Sequence, residues 1–108
     1  MKRIKRRYLA LQLDIPVDSL PSEREFIDAI WGAITLIYGE YGASQANIVL
    51  INFDVEHKRA VIRVNLPALN NLRTSIATIT QIANKPAAVH VIAISGTIKA
   101  LKKQLQTL

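Results

Sequence analysis

Ser95-Gly96-Thr97, followed by Lys99, Lys102 and Lys103, is the segment best equipped to hold an anion. An apolar run from Ala87 to Ile94 stops at this corner, and a basic amphipathic helix pattern begins. The start of a helix presents N–H groups without helical acceptors and a partial positive charge, and these receive phosphate readily. Two hydroxyls and a lysine one turn on add to that chemistry. Capping alone accounts for the same residues, with Ser95 or Thr97 closing the helix while Gly96 turns the chain. Capping and phosphate binding are compatible, and Lys99 favours both.

A second basic cluster consists of Lys2, Arg3, Lys5, Arg6 and Arg7, within a net charge of +6 over 108 residues. Most acids fall elsewhere: Asp14, Asp18, Glu23, Glu25, Asp28 and Glu40 lie between the first strand and the end of the first helix. Charge segregated in this way points to a polyanion, and to nucleic acid over a membrane because no bulky apolar face accompanies the N-terminal cluster. A solvated basic tail is the competing explanation of that cluster. No apolar stretch approaches about 20 residues, so no membrane-spanning helix is expected.

Catalysis finds no footing. His57 sits in a polar loop and His90 in an apolar strand, without ligand-spaced partners, and the chain has no cysteine. A metal site is therefore not expected, and the catalytic set is empty. Glu23 and Glu25 suit helix capping, and Asp54 with Glu56 suits a turn. The absence of cysteine fits a cytoplasmic protein.

The elements that must position the basic residues are legible. Leu9, Leu11, Leu13 and Ile15 alternate with Tyr8, Ala10, Gln12 and Asp14, as in a half-buried strand. Ser22-Glu23-Arg24-Glu25 has the spacing of a capping box, followed by Phe26, Ile30, Ile34, Ile37 and Tyr41 at helical intervals to about Gly42. Gly39 inside this helix signals close packing, and Gly42 is placed to close it in a left-handed conformation. Asn47–Asp54 and Arg59–Leu66 read as a hairpin. Leu69, Leu72, Ile76, Ile79 and Ile82/Ala83 predict a second helix ended by Asn84-Lys85-Pro86, before a last strand and a terminal helix over 97–106.

The order β-α-β-β-α-β-α gives an α+β fold: a ferredoxin-like, split β-α-β sandwich with an additional C-terminal helix. We read it as one domain over 1–108, with residues 1–6 as a basic N-terminal arm. The face away from the two sandwich helices receives Tyr8, Gln12 and Asp14 from the first strand and Arg59, Val61, Arg63 and Asn65 from the third. Strands two and four look apolar on both sides, with Val49, Ile51 and Phe53 against Ile48 and Leu50, and Val89 and Val91 against Ile92 and Ile94. Such strands are usually covered twice, which predicts self-association or a protein partner. Sheets that read single-stranded RNA stack bases on aromatics, and here only Tyr8 is available. Phosphate contact with a folded RNA suits the basic residues better.

Four segments together resemble a known family: Arg7-Tyr8-Leu9, Ile37-Tyr38-Gly39-Glu40-Tyr41-Gly42, Val61-Ile62-Arg63-Val64 and Ser95-Gly96-Thr97-Ile98-Lys99. Their order and spacing are similar to archaeal ribonuclease P protein component 2, the small ferredoxin-like, RRM-like subunit shared with the eukaryotic enzyme. The resemblance runs from about Arg6 to Leu105. It implies a subunit of the ribonucleoprotein endoribonuclease that removes the 5′ leader from precursor tRNA, with the RNA carrying Mg²⁺-dependent chemistry and no cofactor on this chain. It also implies ribonuclease P RNA, precursor tRNA and a larger barrel-type protein subunit as partners, and a homodimer within a heteromer. Arg7, Arg63, Ser95, Thr97 and Lys99 are the motif positions placed near RNA or partner. Lys2, Arg3, Lys5, Arg6, Lys102 and Lys103 join them on electrostatic grounds. The competing class is a small-molecule-sensing or assembly module on the same fold, which leaves both basic clusters without a role.

Overall fold

The computed structural model describes residues 4–106. Strand β1 (Arg6–Asp14) is followed by a short 3-10 turn at Val17–Ser19 and by helix α1 (Glu23–Ala46). Strands β2 (Val49–Asp54) and β3 (Arg59–Asn65) form a hairpin, and a 3-10 turn at Leu66–Ala68 leads into α2 (Leu69–Ala77). A small hairpin of β4 (Gln81–Ile82) and β5 (Lys85–Pro86) precedes β6 (Ala88–Ser95) and α3 (Ile98–Gln106). The main sheet has the order β2-β3-β1-β6 with every pairing antiparallel, which is the ferredoxin-like arrangement. Arg6, read above as the end of an arm, opens β1, and just before it the Lys5 carbonyl accepts the Leu66 N–H at 2.8 Å.

One sheet face and the two sandwich helices enclose the core. Leu9, Leu11 and Leu13 of β1 and Ala60, Ile62 and Val64 of β3 are buried against Phe26, Ile30 and Ile34 of α1 and Leu72 and Ile76 of α2. The capping box starts α1 as its spacing demands: Ser22 Oγ accepts the Glu25 N–H at 3.1 Å, and Glu25 Oε1 accepts the Ser22 N–H at 2.9 Å. Ala10 and Leu101 are each 1% exposed yet lie outside this core. They mark where α3 packs across β6 and β1 on the opposite face.

Two bulges change which strand residues face inward. Leu50 pairs with Ile62 and Asn52 with Val61, so Ile51 is the extra residue of β2. Phe53 is thereby turned to the core, where its ring meets Phe26 at 5.4 Å between centroids. On β6, Ala93 pairs with Ala10 and Val91 with Leu11, leaving Ile92 extra. Ile94 therefore returns to the core face with Val89 and Val91, and not to the opposite face with Ile92 as strict alternation requires.

Helix α1 departs from the sequence reading at both glycines. Gly39 lies at φ 76°, ψ 176° and breaks the helix, with no atom within 4 Å of where a Cβ would sit. Gly42 is where space is short, because a Cβ there would lie 2.6 Å from Tyr38 Cβ. The left-handed cap is Asn47, at φ 46°. Beyond the break the inward face is carried by Ala43 and Ala46, and Ile37 and Tyr41 are 43% and 78% exposed.

Helix α2 stops at Ala77, so Ile79, Ile82 and Ala83 are not on it. β-Branched Thr78-Ile79-Thr80 lose side-chain freedom in a helix, and the Thr78 hydroxyl bonds the Ser75 carbonyl at 2.7 Å. Ile82 nevertheless reaches the core through the hairpin. The hairpin's two-residue turn places Ala83 at φ 52° and Asn84 at φ 66°. Asparagine tolerates this region and alanine does not. Ala83→Gly is expected to raise unfolding free energy by about 0.5–1 kcal/mol in urea titration. A loss of that size would show that the turn is not strained.

Candidate nucleic-acid interface

Antiparallel register sets Arg63 and Ser95 on either side of Tyr8, in one row on the sheet face where α3 packs. Gly96 and Thr97 follow at the end of β6. The Arg7 guanidinium packs against Gly96, with Nη1 3.6 Å from where a Cβ on that glycine would sit. Gly96 has no positive φ, so the turn itself makes no demand for glycine. Thr97 caps α3, its Oγ1 accepting the Ala100 N–H at 3.1 Å, and Ser95 Oγ accepts the Thr97 N–H at 3.4 Å. Among the described residues the Ile98 and Lys99 N–H groups, at the first helical positions, have no acceptor.

Arg63 is the informative member. Its side chain is half-buried, and its Nε is buried without a hydrogen-bond partner among the described residues. It also forms no ion pair there. A buried donor left unpaired costs about 1–3 kcal/mol, and no carboxylate among the described residues neutralises the guanidinium charge. Arg59, on the same strand, is employed within the fold: its Nε bonds Gln12 Oε1 at 3.0 Å, while Gln12 Nε2 bonds the His57 and Lys58 carbonyls.

Arg7, Arg63, Ser95, Thr97 and Lys99 are thus brought to the end of the sheet where β1 starts and β6 finishes. Lys5 and Arg6 are exposed at the same end, and Lys102 and Lys103 are exposed on α3. Lys2 and Arg3 lie outside the described residues. The second half of α1 meets this end too, with Asn65 Nδ2 bonding the Gln45 carbonyl at 2.9 Å. All four segments that carry the resemblance therefore converge there. Asp14, the Val17–Ser19 turn and the start of α1 lie at the opposite end, where Lys58 and Arg59 are bonded within the fold.

The polar residues at the opposite end close a turn. Asp54 accepts the His57 backbone N–H at 3.2 Å, and its Oδ2 lies 2.8 Å from His57 Nδ1. The backbone bond first and the ring second hold the Asp54 carboxyl below its ordinary pKa. His90 is exposed opposite Gln12. Among the described residues no three of His, Asp and Glu gather as metal ligands, and no helix is long and apolar enough to cross a membrane. The sequence pattern does not show a groove beside Tyr41, because that residue falls on the apolar stripe of the first helix.

Comparisons with known proteins address the family and the fold. The chain is 34% identical over 107 residues to ribonuclease P protein component 2 of Methanosarcina barkeri, covering 96% of this chain and 75% of that protein. It is 30% identical to the Methanobrevibacter smithii protein of the same name, covering 96% and 91%, and 31% identical to that of Thermococcus gammatolerans, covering 94% and 83%. A chain in the cryo-EM structure of yeast ribonuclease MRP superposes with a TM-score of 0.73 at 18% identity, over 99% of this chain and 93% of that one, which shows a shared fold. The Rpp14/Pop5 family model matches residues 7–106, the same span that carries the four converging segments: the chain belongs to the Rpp14/Pop5 family.

Proposed function

We propose that this chain is a protein subunit of ribonuclease P that supports RNA-catalysed removal of the 5′ leader from precursor tRNA. The observation that carries its share of the work is Arg63: a guanidinium with an unsatisfied Nε, in a row with Tyr8 and Ser95, beside a capped helix start and within the basic end of the molecule. Phosphates of the catalytic RNA occupy this end. Their neutralisation lets the RNA fold and hold Mg²⁺ and substrate at lower ionic strength, and the RNA supplies the metal-dependent chemistry. A larger barrel-type protein subunit and a second copy of this chain are the protein partners. Exposed Leu36 on α1 and Ile51 and Val55 at the β2 edge are apolar surfaces for them to cover.

Binding of the full chain to ribonuclease P RNA, measured against salt, tests the contact. With about six phosphates neutralised, the log–log slope is expected near −4 to −5, at ~0.7–0.9 per contact. Lys99→Ala with Lys102→Ala should flatten that slope by about 1.4–1.8 and leave the urea midpoint unchanged. Equal slopes and affinities for wild type and double variant would leave the start of α3 with its capping role alone.

A further inference from the structure

The break at Gly39 lies between Tyr38 and Tyr41, and a groove of about 460 Å³ opens where the second half of α1 faces the 3-10 turn before α2. That volume falls in the range of small-ligand sites. Tyr38, Tyr41, Gln45, Asn65 and Asn71 line it, with Ile4 at one end. Gly42 keeps Tyr38 in place, because a Cβ there would lie 2.6 Å from that tyrosine's own Cβ. Asn65 Nδ2 is bonded to the Gln45 carbonyl, which fixes the end of β3 against α1. Among the described residues the side-chain amides of Gln45 and Asn71 and both tyrosine hydroxyls make no hydrogen bond.

We propose that this groove receives an unstacked nucleobase of bound RNA, with the base against the Tyr41 ring and its edge read by the Gln45 and Asn71 amides. The inference rests on the RNA-binding role above and names the part of the RNA this site takes. An exposed aromatic beside uncommitted amides is the chemistry that recognises unpaired bases. The sheet provides only Tyr8 for stacking, so base recognition moves to the helix side. Charge agrees with a nucleotide as occupant. The Lys5 carbonyl accepts the Leu66 N–H and Arg6 pairs with Asn65, so two cationic residues neighbour a residue that lines the groove. The second half of α1 carries one acid, Glu40. A purely apolar protein side chain would leave the amides unpaired.

Two fluorescent RNA hairpins, identical except that one carries a single bulged adenosine, test this with the full chain at one salt concentration. Wild type is expected to bind the bulged hairpin about tenfold tighter, within the range for base stacking on an aromatic. Tyr41→Ala should erase that preference without changing affinity for the paired hairpin, Tyr41→Phe should keep it, and Arg63→Met should weaken both hairpins alike. Equal wild-type binding to the two hairpins, or a preference that survives in Tyr41→Ala, overturns the groove assignment alone. Binding to neither hairpin overturns the RNA-binding role with it. If Tyr41→Ala abolishes capture of the purified barrel-type subunit and leaves hairpin preference intact, the groove is a protein site and the proposal fails.

Discussion

Replacing Arg63 with Met is expected to weaken binding to the catalytic RNA about tenfold or more while the folded state remains as stable as wild type or gains up to about 1 kcal/mol. The affinity loss follows from removing a charge-assisted hydrogen bond to phosphate, which contributes about 1.5–3 kcal/mol. The stability result follows from the free protein, where Nε is buried and unpaired among the described residues. Methionine keeps most of the aliphatic stem that packs on the sheet and removes the donor that nothing satisfies. Substitution of an ordinary structural arginine lowers stability and function together. Here they are expected to part, measured by RNA titration and urea unfolding on the same sample. A stability loss of 2 kcal/mol or more would make Arg63 a structural residue.

Gly39→Ala is expected to destabilise the protein by about 1–3 kcal/mol in urea unfolding. At φ 76°, ψ 176° the backbone occupies a region reached almost only by glycine, and open space around the position means that the cost is conformational and not a clash. Gly42→Ala tests the opposite situation, an ordinary backbone with a crowded Cβ site against Tyr38. If Gly39→Ala loses less than 0.5 kcal/mol, α1 straightens readily and the break is not built into the fold.

These two glycines also show where the sequence stops being legible. Gly42 looked like the helix terminator and Gly39 like a packing contact. In the structure Gly39 breaks the helix internally, Gly42 is the crowded position and Asn47 closes α1, because a helical hydrophobic pattern does not reveal which residue has a positive φ. Capping at Ser22 and Thr97 was readable, since both rest on local hydrogen bonds between residues three apart. The inward turn of Phe53 and Ile94 was not, because each depends on one extra residue opposite a neighbouring strand. Likewise, the hairpin at Ala83-Asn84 hides behind an apolar spacing that suits a helix.

The gathering of the basic residues was more legible than its details. Arg7, Arg63 and the Ser95-Gly96-Thr97 corner are far apart in the chain, and the β-α-β-β-α-β order brings them to one end of the sheet. What the pattern lacked was the state of each group: Arg59 is committed to Gln12, and Arg63 is left with an unpaired donor. The groove between Tyr41 and Asn71 depends on α1 passing the 3-10 turn before α2, a tertiary contact without a local signature.

Leader cleavage by reconstituted ribonuclease P RNA, followed as a function of Mg²⁺ with the barrel-type subunit present and this chain added or withheld, bears most directly on the central claim. Adding the chain is expected to move cleavage to lower Mg²⁺, and Arg63→Met is expected to reverse much of the shift. Identical Mg²⁺ curves with and without the chain would contradict it.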